Sequence, residues 1–127
     1  MENWREDRLR QQLQSYQLQL KDLPILDQYE DTVSEPALLI LLEWACYGQN
    51  TAGIVMGREM VAKLPRAWLK EHLLRVVKQG FDYMDDWNYR RLLELTIELL
   101  PECIAPLLAL TAGTTDPDLK DVIDDYK

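Results

Sequence analysis

Apolar residues recur every three to four positions along most of the chain, and the recurrence stops where glycine or proline intervenes. Leu9, Leu13, Tyr16, Leu20 and Leu23 follow a 4-3-4-3 spacing, which draws one stripe down an amphipathic helix over residues 2–22. Pro24 ends that helix, because its ring and missing N–H break the hydrogen-bond ladder. Residues 24–35 read as an acidic connector with a single helical turn near Leu26. Ser34 then offers a helix N-cap, and Pro36 suits an early helical position. From 36 to 47 the chain is apolar almost all round, with Glu43 its only charge, so this helix belongs at the centre.

Gly48 supplies a left-handed stop, and Asn50 or Thr51 caps the next helix, expected over 51–63. Gly53 and Gly57 share one face of it. Each glycine costs about 1 kcal/mol inside a helix, so the pair implies close approach to the 36–47 helix. Pro65 opens a helix to about residue 79, with Leu69, Leu73, Val76 and Val77 inward and Gly80 closing it. A further helix over 86–100 turns Tyr89, Leu92, Leu93, Thr96 and Leu100 to one side, and Arg90 and Arg91 lie within pairing reach of Glu94. Pro101 starts a short apolar helix that contains Pro106 and ends by Gly113; Asp116-Pro117 then starts the last one, to about residue 125. No stretch alternates with period two for long enough to make a strand. The expected fold is all-α: one helical domain over 1–127, with stacked short helices filling 36–126.

The stretch from Leu92 to Tyr126 resembles HEAT-type helical repeats. The likeness rests on Leu100-Pro101, an apolar helix, Gly113, and the run Asp116-Pro117-Asp118-Leu119-Lys120-Asp121-Val122. It implies a HEAT-like α-solenoid whose stacked helix pairs bury a continuous core and leave an extended protein-binding surface. An irregular helical bundle is the alternative architecture.

Composition narrows the class. With 127 residues, 47% apolar and 28% charged, the chain has enough hydrophobic content for a core without staples and is not a disordered polymer. Cys46 and Cys103 lie in apolar helical stretches and read as reduced, buried thiols. The N-terminal region carries Glu2, Arg5, Glu6, Asp7 and Arg8 where a secretory signal would be apolar, so a cytoplasmic protein is expected. The net charge of −8 is skewed. Residues 82–127 hold 11 acids and 4 Lys/Arg, a net of −7, which disfavours nucleic acid and anionic membrane and favours a basic protein partner. The stripe over 2–22 serves either packing within the domain or a homodimer.

Recognisable catalytic chemistry is sparse. The single histidine, His72, stands beside Glu71 and reads as a partly exposed helix residue; an enzyme using it with Cys103 is the minority reading. Cys-x-x-Cys, His-x-x-x-His and Glu-x-x-His spacings for a metal are missing. The Asp116–Asp121 run fails as a calcium loop, because Lys120 and Asp121 stand where a ligand and a glycine belong. No glycine-rich nucleotide fingerprint is present either, so no cofactor and no metal are expected.

One segment departs from the helical grammar. Phe81, Tyr83, Met84, Trp87 and Tyr89 interleave with Asp82, Asp85 and Asp86. Aromatics dominate interface energetics, and carboxylates around them select cationic partners. Phe81, Asp82, Tyr83, Asp85, Asp86 and Trp87, continued along the next helix by Glu94 and Glu98, form the candidate partner-binding strip. In small size and acidity the chain also resembles bacterial immunity proteins, which implies neutralisation of a cognate basic toxin. A general scaffold or adaptor is the other non-enzymatic reading.

Overall fold

The computed structural model describes residues 4–48 and 50–127, and these are all-helical. Seven α-helices follow one another: α1 (Trp4–Gln14), α2 (Asp31–Cys46), α3 (Thr51–Ala62), α4 (Arg66–Gly80), α5 (Asp86–Leu99), α6 (Ile104–Ala109) and α7 (Pro117–Tyr126). Two 3-10 segments, Leu20–Gln28 and Pro101–Cys103, complete the set. The stripe of α2 that includes Ala37, Leu38, Leu41, Leu42 and Ala45 is fully buried, as an almost uniformly apolar helix requires. Helix α2 is accordingly the hub, packed against α1, α3, α4 and α5. A second centre forms around α5, which packs on α7, α6 and the second 3-10 segment. There Tyr89 is fully buried, donates its hydroxyl to the Leu107 carbonyl at 2.8 Å and accepts from Thr111 Oγ1 at 2.9 Å.

The glycine pair does what its spacing implies. A Cβ on Gly57 would lie 2.3 Å from the backbone nitrogen of Ala45 and 2.7 Å from its Cα. One on Gly53 would meet the Trp44 ring at 3.3 Å. The α2–α3 approach is therefore closest at Gly57, backbone against backbone. Gly48 holds φ at 73°, and the Asn50 side chain accepts the Gly53 N–H at 3.0 Å, so the turn between the two helices has the expected stop and cap.

Two boundaries differ from the sequence expectation. The first helix ends at Gln14, not near residue 22, because Gln17 takes a left-handed φ of 61°. The Leu18 N–H then reaches the Leu13 carbonyl at 3.1 Å and the Gln17 N–H reaches that of Gln14 at 2.8 Å, a Schellman closure with glutamine in the usual glycine position. Of the stripe, Leu9, Leu13 and Leu23 are buried and pack within the chain, Leu20 is half-buried and Tyr16 is exposed, while Leu18 turns inward after the break. Pro24 sits inside the first 3-10 segment, beyond the real helix end. At the second boundary, α2 begins at Asp31, since the Glu30 carbonyl already accepts the N–H groups of Val33 and Ser34 at 2.9 and 2.8 Å. Ser34 is thus buried inside the helix rather than capping it, and Pro36 lies within α2.

Candidate protein-docking face

The connection from α4 to α5 is built from its own polar atoms. The Phe81 N–H closes α4 on the Val77 carbonyl at 3.2 Å, and the Phe81 ring packs against Tyr47, 5.2 Å between centroids. The next N–H, from Asp82, donates to the Tyr47 hydroxyl at 2.7 Å. Asn88 folds back from α5 to donate its side-chain amide to the Asp82 carbonyl at 3.2 Å. The Asp85 carboxylate accepts the Asn88 N–H at 3.0 Å and caps α5, while Asp86 lies in the first turn, where the helix dipole favours an acid.

This construction sorts the candidate residues. Phe81, taken from the sequence as a partner contact, is buried and belongs to the core, because closing α4 turns its ring onto Tyr47. Asp85 is engaged as a cap. Tyr83 and Asp86 are half-buried, and Asp82 presents its side chain outward. Within this segment two large apolar side chains stand out in solvent: Trp87, 59% exposed, and Met84, 55% exposed. From Trp87 a single face runs down α5 through Arg91, Glu94 and Glu98, at the 4-3-4 spacing of one helical stripe.

Cations distribute along this face differently from the pairing read in the sequence. Arg90 turns to Asp125 of α7 at 2.7 Å, and Arg91 donates to the carbonyls of Cys46, at 3.1 Å, and Gly48 while its guanidinium lies 5.7 Å from the Trp87 ring centroid. Glu94 is paired instead with Arg58 of α3, at 2.7 Å, so it is not an uncompensated acid. Glu98 lines a groove between α3 and α5 with Val55, Glu59, Ala62 and Leu95. Among the described residues, no ion pair engages Asp82, Asp86 or Glu98. Of the residues read from sequence as the strip, Asp82, Trp87 and Glu98 are thus exposed and Asp86 half-buried, whereas Phe81 is buried, Asp85 caps α5 and Glu94 is paired with Arg58.

A second cluster joins α2 to α4. His72 is buried, not partly exposed, and its Nδ1 lies 2.8 Å from the Glu35 carboxylate. Trp68 stacks on the imidazole at 4.7 Å between centroids. Arg75 donates to Glu35 through Nε at 2.8 Å and to Asp31 through Nη2 at 3.0 Å. Burial pushes the Glu35 carboxyl up, but hydrogen bonds from His72 and Arg75 and the guanidinium charge outweigh it and hold it below its usual range. Asp31, Glu35 and His72 converge closely enough to hold a cation. The Arg75 guanidinium supplies that charge, so the cluster reads as a satisfied interhelical network. The hydrogen-bond partners of the His72 ring nitrogen among the described residues are Glu35 and Arg75. Its burial was signalled by position, since Leu69, His72, Leu73 and Val76 form one inward stripe.

Both cysteines are free thiols. Burial pushes Cys46 up to about 12 and Cys103 upward too, so neither is an activated thiolate. No helix among the described residues is long and apolar enough to cross a membrane. Comparison with protein-family models, with curated proteins and with solved structures finds no match to this chain.

Proposed function

We propose that this chain is a non-enzymatic, cytoplasmic protein-binding module that docks a basic protein partner through the outer face of α5 and the turn before it. One observation carries the reading: Trp87 and Met84 stand more than half exposed in a segment that also holds Asp82 and Asp86, acids with no ion pair among the described residues. Trp87 keeps only the Arg91 guanidinium near its ring and leaves most of its apolar area in water, and tryptophan is the residue most enriched at binding hot spots. Unpaired carboxylates in the same segment steer and select a cationic surface. Nearly all the net negative charge of the chain, −7 of −8, lies in residues 82–127. That combination suits an inhibitor or immunity-type protein that covers the positive cleft of a toxin, acting by occlusion and not by chemistry.

The test compares wild type with a Met84→Ala/Trp87→Ala double variant, each immobilised and exposed to lysate of the native host. Basic proteins enriched on wild type and depleted on the variant are the expected result, with circular dichroism unchanged between the two. Equal capture by both proteins, at matched helix content, would remove this face as the docking site.

A further inference from the structure

Glu43 is the only charge between 36 and 47, and α2 places it half-buried. No hydrogen bond or ion pair reaches its carboxylate from any described residue. It lines an open groove of about 290 Å³ together with Gln12, Trp44, Tyr47, Asn50, Gly53 and Ile54. A carboxylate drawn out of water with no counter-charge is a costly arrangement, and burial accordingly pushes the Glu43 carboxyl above its usual range. An incoming cation would reverse that cost.

The walls are held in place. Trp44 donates its indole N–H to Gln12 Oε1 at 2.6 Å, and Tyr47 is fixed by the Phe81 ring and by the Asp82 N–H on its hydroxyl. Gly53, lacking a side chain, keeps the floor beside Trp44 open. Arg5 passes nearby, its Cδ 3.9 Å from where a Cβ on Gly53 would sit, but its guanidinium lies over the Trp4 ring at 4.5 Å. The groove also abuts the docking face. Tyr47 holds Asp82, and the carbonyl of Gly48, another groove residue, is bound by Arg91, whose guanidinium neighbours Trp87.

We propose that this groove receives an arginine side chain of the partner protein, its guanidinium paired with Glu43 and its flat face and stem against Trp44 and Tyr47. The proposal rests on the protein-docking reading and names the chemistry the partner brings to one side of it. A hard metal ion would need several oxygen ligands, whereas among the described residues this groove offers a single carboxylate beside aromatic walls. The planar guanidinium fork matches a carboxylate and stacks on aromatic rings better than the point charge of lysine.

The experiment is a two-dimensional NMR titration of the full chain with acetylated, amidated tetra-arginine. Tetra-citrulline serves as the uncharged isostere. Saturable shifts centred on the Trp44 indole N–H and the Gly53 amide are expected with arginine and not with citrulline. Glu43→Gln should weaken that response at least ten-fold, while Glu71→Gln, the same charge change on an exposed position of α4, should leave it within two-fold. An equal response to citrulline, shifts centred elsewhere, or an unchanged affinity in Glu43→Gln would overturn the proposal. The two readings separate cleanly. Unchanged arginine binding in Glu43→Gln, with partner capture lost in the Trp87 variant, removes the arginine pocket and keeps the docking face. The reverse pattern keeps the pocket and removes the face.

Discussion

Substituting alanine for Gly57 tests the geometry on which everything else is mounted. The added Cβ would meet Ala45 N at 2.3 Å, Ala45 Cα at 2.7 Å and the Trp44 carbonyl carbon at 2.7 Å. All three are backbone atoms, so no side chain can rotate aside, and relief to normal contact needs α3 to move away from α2 by about 1 Å. A gap of that size forfeits roughly a quarter to a half of the dispersion attraction at each contact it opens. Overpacking of this kind costs typically about 1–3 kcal/mol and occasionally more, and the rigidity of the obstacle places Gly57→Ala at or above the upper end. Alanine recovers about 1 kcal/mol of helix propensity, leaving a net loss of about 2 kcal/mol. Midpoints of domains this size shift by very roughly 4 °C per kcal/mol, so thermal unfolding followed by circular dichroism should fall by about 8 °C. Gly53→Ala is the internal control: its Cβ would meet side chains and no backbone, the Trp44 ring at 3.3 Å and Arg5 Cδ at 3.9 Å, and a small tilt of the ring accommodates it. That variant should lie within about 1 kcal/mol of wild type. A Gly57→Ala protein as stable as wild type would refute the close α2–α3 approach.

Two further outcomes follow from the buried chemistry. Cys46 is fully buried with its thiol pushed up to about 12, so labelling with a thiol reagent at neutral pH should modify Cys103 first and Cys46 only at the rate of unfolding. Prompt labelling of Cys46 in the native protein would contradict the packing of α2. Glu35 is held below its ordinary range in the fold, so it contributes stability at pH values above its unfolded pKa. That contribution is lost as pH falls through the lowered folded value. Urea midpoints measured from pH 6 to pH 3 should therefore drop less steeply for Glu35→Gln than for wild type, and parallel profiles would remove the Glu35–His72–Arg75 network as a source of acid sensitivity.

Much of the fold was legible because its boundaries are local chemistry. Asn50, Asp85 and Asp116 cap helices with their own side chains, Gly48 takes the left-handed stop, and Gly57 sits against bare backbone. The two misplaced boundaries have local causes of the opposite kind. Gln17 adopts a conformation that glycine usually marks, and Leu20 and Leu23 continue the apolar spacing past the break, so the pattern hid the turn. The Ser34 and Pro36 signals were overridden because α2 gains burial by starting earlier.

The candidate site was less legible, since it depends on long-range partners. Glu94 is paired with Arg58, 36 residues away, and Glu35 is bound by His72 and Arg75, 37 and 40 residues away. Neither separation leaves a trace in local spacing. Phe81 and Trp87 carry the same composition signal, and only the closure of α4 onto Tyr47 decides that one ring goes inward. Exposure of Trp87 and Met84 was thus a property of the turn's hydrogen bonds, with Asp82 held by Tyr47 and Asn88 held by Asp85.

The central claim is that Trp87 and the acids of its segment form a protein-docking surface. Isothermal titration of a purified captured partner against wild type and Trp87→Ala measures this most directly. A hot-spot tryptophan is worth about 2 kcal/mol or more, so affinity should fall by about 30-fold or more and steepen its loss with added salt in the wild type. Dissociation constants equal within two-fold would contradict the account.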